Sequence, residues 1–177
     1  MSLIQQNISL DMDSKVIVIR HPKENIKKCS LRFLHDKDGF EFHKANDNFS
    51  FDATGCILLE IDAPPITEDD KGKPILLLDS TWRLLPKIRN KVYGNYIARS
   101  IPPSVKTAYP RISKIFADPD GLATVEALYA AMRMAGNPDV SVLKHYPFAK
   151  KFMQINNWLG DLPTPDYFSE EESALCD

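Results

Sequence analysis

The sequence predicts an α/β fold, a sheet flanked by helices. Three observations lead there. Short apolar runs at residues 15–20, 56–61 and 74–78 have the length of strands. In the first half such runs alternate with segments of loop or helical pattern. In the second half only helical periodicity is left, at residues 122–135 and 148–159. Strands interleaved with helices, followed by helices alone, form a sheet with helices packed on it.

The elements follow in chain order. Residues 15–20 read as a buried strand stopped by Pro22, and residues 29–35 as the start of a short helix capped by Asn25 or Ser30. Residues 39–43 alternate apolar and polar side chains, as a half-exposed strand does. Residues 56–61 form a nearly continuous apolar strand ending before Ala63, Pro64 and Pro65. The run at 74–78 leads straight into Asp79-Ser80-Thr81-Trp82, after which Leu84, Leu85 and Ile88 recur at helical spacing: strand, loop, helix. Residues 96–99 are a short strand, and Pro102 and Pro103 hold the chain extended behind it. Asp118-Pro119-Asp120-Gly121 is a turn by composition. Val125, Leu128, Ala131, Met132 and Ala135 make the apolar stripe of a helix that Gly136, Asn137 and Pro138 end. The last helix presents Phe152, Ile155 and Trp158 together.

A chain of 177 residues, 44% hydrophobic and 26% charged, is one domain's worth and can bury a core. No run reaches the roughly 18 apolar residues of a membrane span, and residues 1–14 read as a flexible N-terminus without the pattern of a secretory signal, so a cytoplasmic protein is expected. Cys29, Cys56 and Cys176 are odd in number and widely spaced, which predicts reduced thiols and no structural zinc. The net charge of -2 conceals a division: residues 161–177 hold six acids and no Lys or Arg, an acidic and mobile tail, so the rest carries +4. Residues 80–117 carry eight Lys or Arg and no acid, interleaved with Trp82, Tyr93, Tyr96 and Tyr109. Such a stretch suits a phosphate backbone and stacked bases; it also suits a solvated basic face whose aromatics are core.

Open α/β sheets bind ligands beyond the carboxyl ends of their strands, which singles out residues 79–82. Asp79 or Thr81 is either a helix cap or a site residue, and Trp82 is either a first-turn core residue or a wall for a planar or cationic ligand. Thr124, near a helix start, has the same two readings, since unpaired backbone N–H groups there attract anions. Glu126 in that first turn is electrostatically at home without any function. The four histidines fall in no ligand spacing, and no Gly-rich phosphate loop, GxSxG or HExxH is present, so hydrolytic and kinase chemistries have no support.

In combination these residues resemble the DTW superfamily of aminocarboxypropyltransferases. Its aspartate-x-threonine-tryptophan signature is similar to Asp79-Ser80-Thr81-Trp82, and its later element to Leu122-Ala123-Thr124-Val125-Glu126-Ala127. Lys27-Lys28-Cys29-Ser30 behind Pro22, Arg99-Ser100-Ile101-Pro102, Ala108-Tyr109-Pro110 and Gly136-Asn137-Pro138 resemble the branch that modifies small-subunit ribosomal RNA. The likeness covers residues 15–160. Leu31, Glu60, Tyr109 and Ala123 depart from it, and all but Leu31 touch the expected cofactor pocket.

The resemblance implies a SPOUT-like sheet with a C-terminal trefoil knot, divided into an N-terminal α/β part (15–72) and a SPOUT-like part binding S-adenosylmethionine (73–160). It implies transfer of the 3-amino-3-carboxypropyl group to N3 of a uridine-type base in RNA, with no metal. Asp79 is then the catalytic carboxylate, as general base or as a positioning group. Ser30, Leu59, Thr81, Trp82, Ile101, Leu122, Ala123 and Thr124 bind the cofactor; Arg83, Lys87, Arg89, Lys91, Lys106 and Arg111 bind RNA. Small-subunit ribosomal RNA during ribosome maturation is the expected substrate, with tRNA, or a non-catalytic RNA-binding role in ribosome assembly, as the alternatives.

Overall fold

The computed structural model describes residues 16–110 and 121–168. Its main sheet is parallel throughout. Strands β1 (Val16–Arg20), β2 (Phe40–Lys44), β4 (Ile57–Leu59), β5 (Ile75–Asp79) and β7 (Ile97–Arg99) lie in the order β2-β1-β5-β4-β7. Two short strands, β3 (Phe51–Asp52) and β6 (Val92–Tyr93), pair in a second sheet. The predicted α/β class and flanking helices are both present.

β1 is buried at every position because both faces of the sheet are covered. Val16 and Val18 face a core that includes Leu128, Tyr129, Phe152 and Met153, from α2 (Thr124–Met134) and α3 (Ala149–Ile155). Ile17 and Ile19 face the other core, with Phe51, Val92 and Ile88 of α1 (Leu85–Arg89). The two-residue side-chain period of a strand thus divides one apolar run between two cores. α2 buries Val125, Leu128 and Ala131 as its stripe predicts. It ends where Gly136 takes φ 77° and its N–H bonds the Arg133 carbonyl at 3.0 Å, while Asn137 N–H bonds that of Met132 at 2.9 Å. This is the left-handed closure that glycine permits.

Several sequence expectations change. Residues 29–35 form no α-helix; two single 3-10 turns, Ile26–Lys28 and Arg32–Leu34, take their place. Asn25 caps the first, and Ser30 caps neither. The helix after β5 is only five residues long. α3 stops at Ile155 because Asn157 adopts φ 59°, so Phe152 and Trp158 are buried while Ile155 is exposed. The acidic ending is docked over residues 161–168: Asp161 accepts from Tyr129 Oη and Arg133 Nε, both at 2.7 Å, and Phe168 enters the main core. Residues 1–14, Asp118 to Asp120, Arg111 and Cys176 lie outside the described residues.

Candidate active site

β1 continues to β2 on one side of the sheet, and β5 continues to β7 on the other. The crevice between the carboxyl ends of β1 and β5 is therefore the switch point at which such sheets bind ligands. Arg20 and Asp79 close these two strands in register.

Both are 6% exposed and bonded to each other: Arg20 Nε donates to Asp79 Oδ2 at 2.7 Å. Arg20 Nη2 donates to Cys29 Sγ at 3.2 Å, and the Cys29 thiol donates to the same Oδ2 at 3.0 Å. Arg20 Nη1 lies 2.9 Å from His35 Nε2, which must accept because a guanidinium only donates. Burial works to lower the Arg20 pKa, but the bond to Asp79 and the neighbouring charges outweigh it and raise it. Burial, then Asp79, push the Cys29 thiol up to about 12, so Cys29 stays a neutral donor rather than a nucleophile. Asp79 Oδ2 is thus committed, while among the described residues Oδ1 meets only Thr124 Oγ1, at 3.5 Å.

The capping readings for residues 79–82 fall away. α1 is capped at Leu84 without any side-chain bond, and Thr81 contributes its carbonyl, which accepts from Leu84 N at 2.9 Å and Leu85 N at 3.0 Å. Trp82 is not core, being 42% exposed. Ser80 Oγ is buried with no hydrogen-bond partner among the described residues.

Two distant segments join Asp79 here. Ser30 Oγ accepts from the backbone N–H of Val125 at 3.1 Å, tying residues 29–30 to the start of α2. Glu126, fully buried, accepts through Oε2 from Thr107 Oγ1 at 2.6 Å and Ala123 N at 2.9 Å. Its Oε1 accepts from Ala108 N at 2.9 Å and Tyr146 Oη at 3.0 Å. It pins the 107–108 loop to the helix. Removing it strands four donors, so Glu126→Ala is expected to lower stability by about 3 kcal/mol or more. The midpoint of urea unfolding measures this, and a midpoint equal to wild type would refute the tether.

Leu59, Ile101, Leu122 and Ala123 are half-buried and pack against the main core. The basic stretch is less available than its charge suggests. Arg89 bonds Glu60 and the Tyr96 hydroxyl, Arg99 bonds Asp70 at 2.8 Å, and Lys91 Nζ donates to the carbonyls of Asn46 and Asp47 at 2.8 Å. Arg83, Lys87 and Lys106 are exposed. Sequence reasoning missed Arg20, Cys29 and His35 as a unit; an arginine ending a wholly apolar strand was the available signal. Among the described residues no group of three or more His, Cys, Asp or Glu is placed to hold a metal, and no helix is long and apolar enough to cross a membrane.

The fold and this site define an α/β protein with a buried Arg–Asp pair at the switch point of a parallel sheet. No family model matches the chain, and no curated protein does. Among solved structures the chain is similar to Tsr3, the SAM-dependent rRNA:acp-transferase of Vulcanisaeta distributa. The TM-score is 0.64 and the identity 22%, over 92% of this chain and 86% of that one. This likeness establishes the fold.

Proposed function

We propose that the protein is an S-adenosylmethionine-dependent RNA aminocarboxypropyltransferase. It acts on N3 of a uridine-type base, in small-subunit ribosomal RNA during ribosome maturation in the cytoplasm. One observation carries the reading: Ser30, Asp79 and Thr124, far apart in sequence and each within a motif of the resembled family, converge at the switch point. The SPOUT-like knot implied by the resemblance belongs to the same reading.

The residues present fit the cofactor. Trp82 offers an exposed ring beside a strand end, Leu59, Ile101 and Leu122 offer half-buried apolar surface, and Ser80 Oγ is a buried polar atom without a partner among the described residues. When bound, S-adenosylmethionine supplies a sulfonium whose aminocarboxypropyl carbon is electrophilic, with methylthioadenosine as the other product. Trp82 and Thr81 hold it and shield its methyl group, Leu59 and Ile101 enclose the adenine, and Ser30 with the Leu122, Ala123 and Thr124 backbone holds the amino-acid end. The choice between methyl and aminocarboxypropyl transfer then rests on the shape of the pocket. Asp79 receives the N3 proton or positions the base, and Oδ1 is its available atom. Arg83, Lys87 and Lys106 contribute phosphate contacts.

Nucleoside mass analysis of small-subunit rRNA and tRNA from cells with and without the protein tests this. Loss of an aminocarboxypropyl-uridine from the rRNA is expected. Loss from tRNA instead would reassign the substrate, and no loss from either would overturn the activity.

A further inference from the structure

A cleft of about 260 Å³ lies beside the candidate active site, walled by Lys27, Lys28, Arg32, Phe33, Tyr109 and Phe148. Its volume lies just under the roughly 300–1,000 Å³ of small-molecule sites, room for a ligand the size of one nucleotide. Among the described residues no carboxylate lines it. Neither Lys27 nor Lys28 forms an ion pair among the described residues, unlike Arg89 and Arg99 of the basic stretch.

Its planar groups are held in place. The Arg32 guanidinium lies over the Phe33 ring at 4.4 Å, and Arg32 Nη1 donates to the Lys27 carbonyl at 2.7 Å. Phe33 is 49% exposed and leans on the His145 ring at 5.2 Å, which leaves part of its surface open to a ligand. Tyr109 stands edge-on to Phe148 at 5.9 Å. The cleft is also next to the chemistry: Cys29 and Ser30 are part of its lining, and these are the residues that bond Asp79 and the start of α2.

We infer that this cleft holds a single-stranded RNA nucleotide adjoining the target base, with its phosphates on Lys27 and Lys28 and its base against the Arg32–Phe33 pair. The inference rests on the RNA-modifying reading above. Unpaired cations release counterions on binding phosphate, and bases stack on rings and on guanidinium planes alike. This relocates part of the RNA contact from residues 80–117 to residues 27–33.

The test is binding of the full chain to a fluorescein-labelled single-stranded oligouridine across a salt series, with S-adenosylmethionine affinity measured in parallel. Lys27→Ala with Lys28→Ala is expected to flatten the slope of log affinity against log salt by about 1.4, since each single-strand phosphate contact contributes about 0.7. Phe33→Leu is expected to weaken RNA binding about fivefold or more at an unchanged slope, and Phe33→Tyr to restore it. Both sets of variants keep the wild-type cofactor affinity. No RNA binding by wild type, an unchanged slope in the lysine variant, or equal competition by polyglutamate of matched length would overturn the inference. Absence of cofactor binding in wild type, with the RNA effects intact, would instead overturn the transferase reading alone.

Discussion

Arg20→Ala is expected to lower the melting temperature by roughly 6–20 °C. The substitution leaves the Asp79 carboxylate, 6% exposed, without its cation. Breaking one partner of a buried ion pair costs about 3–5 kcal/mol, and in a chain of this size each kcal/mol moves the midpoint by about 2–4 °C. It also frees Cys29 and His35, whose bonds to Nη2 and Nη1 hold the 29–35 segment against the strand ends. Arg20→Lys keeps the charge but cannot reach all three partners with a planar fork, and should recover only part of the loss. The double variant Arg20→Met with Asp79→Leu removes both charges and should melt above Arg20→Ala, although it cannot be active. Thermal circular dichroism of the set decides it: a midpoint for Arg20→Ala within about 2 °C of wild type would mean that the pair is not what holds this end of the sheet.

Trp82→Ala should have the opposite profile, with little effect on the fold and a large one on the ligand. The ring is 42% exposed and belongs to neither core, so its loss leaves no buried cavity. In the proposed role it supplies apolar contact and faces a sulfonium, and a desolvated cation over an indole is worth about 2 kcal/mol before the apolar area is added. The expected loss of S-adenosylmethionine affinity in calorimetric titration is therefore about a hundredfold, with the melting temperature unchanged. Equal affinity in the variant would remove Trp82 from the site. A large drop in melting temperature would instead restore the reading of Trp82 as a packing residue.

Contrast between the apolar runs and the loops made the sheet readable. β1, β5 and α2 stand within two residues of their expected positions, because continuous burial and a helical stripe both leave strong local patterns. The turns at 26–34 were not readable, since single 3-10 turns have no period to detect, and β3 and β6 are only two residues each. Burial in the candidate site followed the same division. Asp79 and Trp82 were visible as a motif after a strand, but Arg20 and Cys29 reach Asp79 across separations of 59 and 50 residues that no local pattern records. Charge counting failed at Arg89 for a related reason: Glu60 lies outside the one-signed stretch and is its partner in space.

The pairing of β1 with β5 also has a kinetic consequence. The two strands are neighbours in the sheet, yet Arg20 meets Asp79 across 59 residues, and every pairing in the sheet is parallel and so needs a crossover. Chains dominated by such non-local contacts fold slowly, because the entropy of closing the loops is spent before the contacts form. The crevice between β1 and β5 forms only once these two strands have paired, so a ligand that fits it favours the folded molecule over the unfolded chain. Such a ligand shifts the folding equilibrium by mass action without accelerating the closure of the sheet.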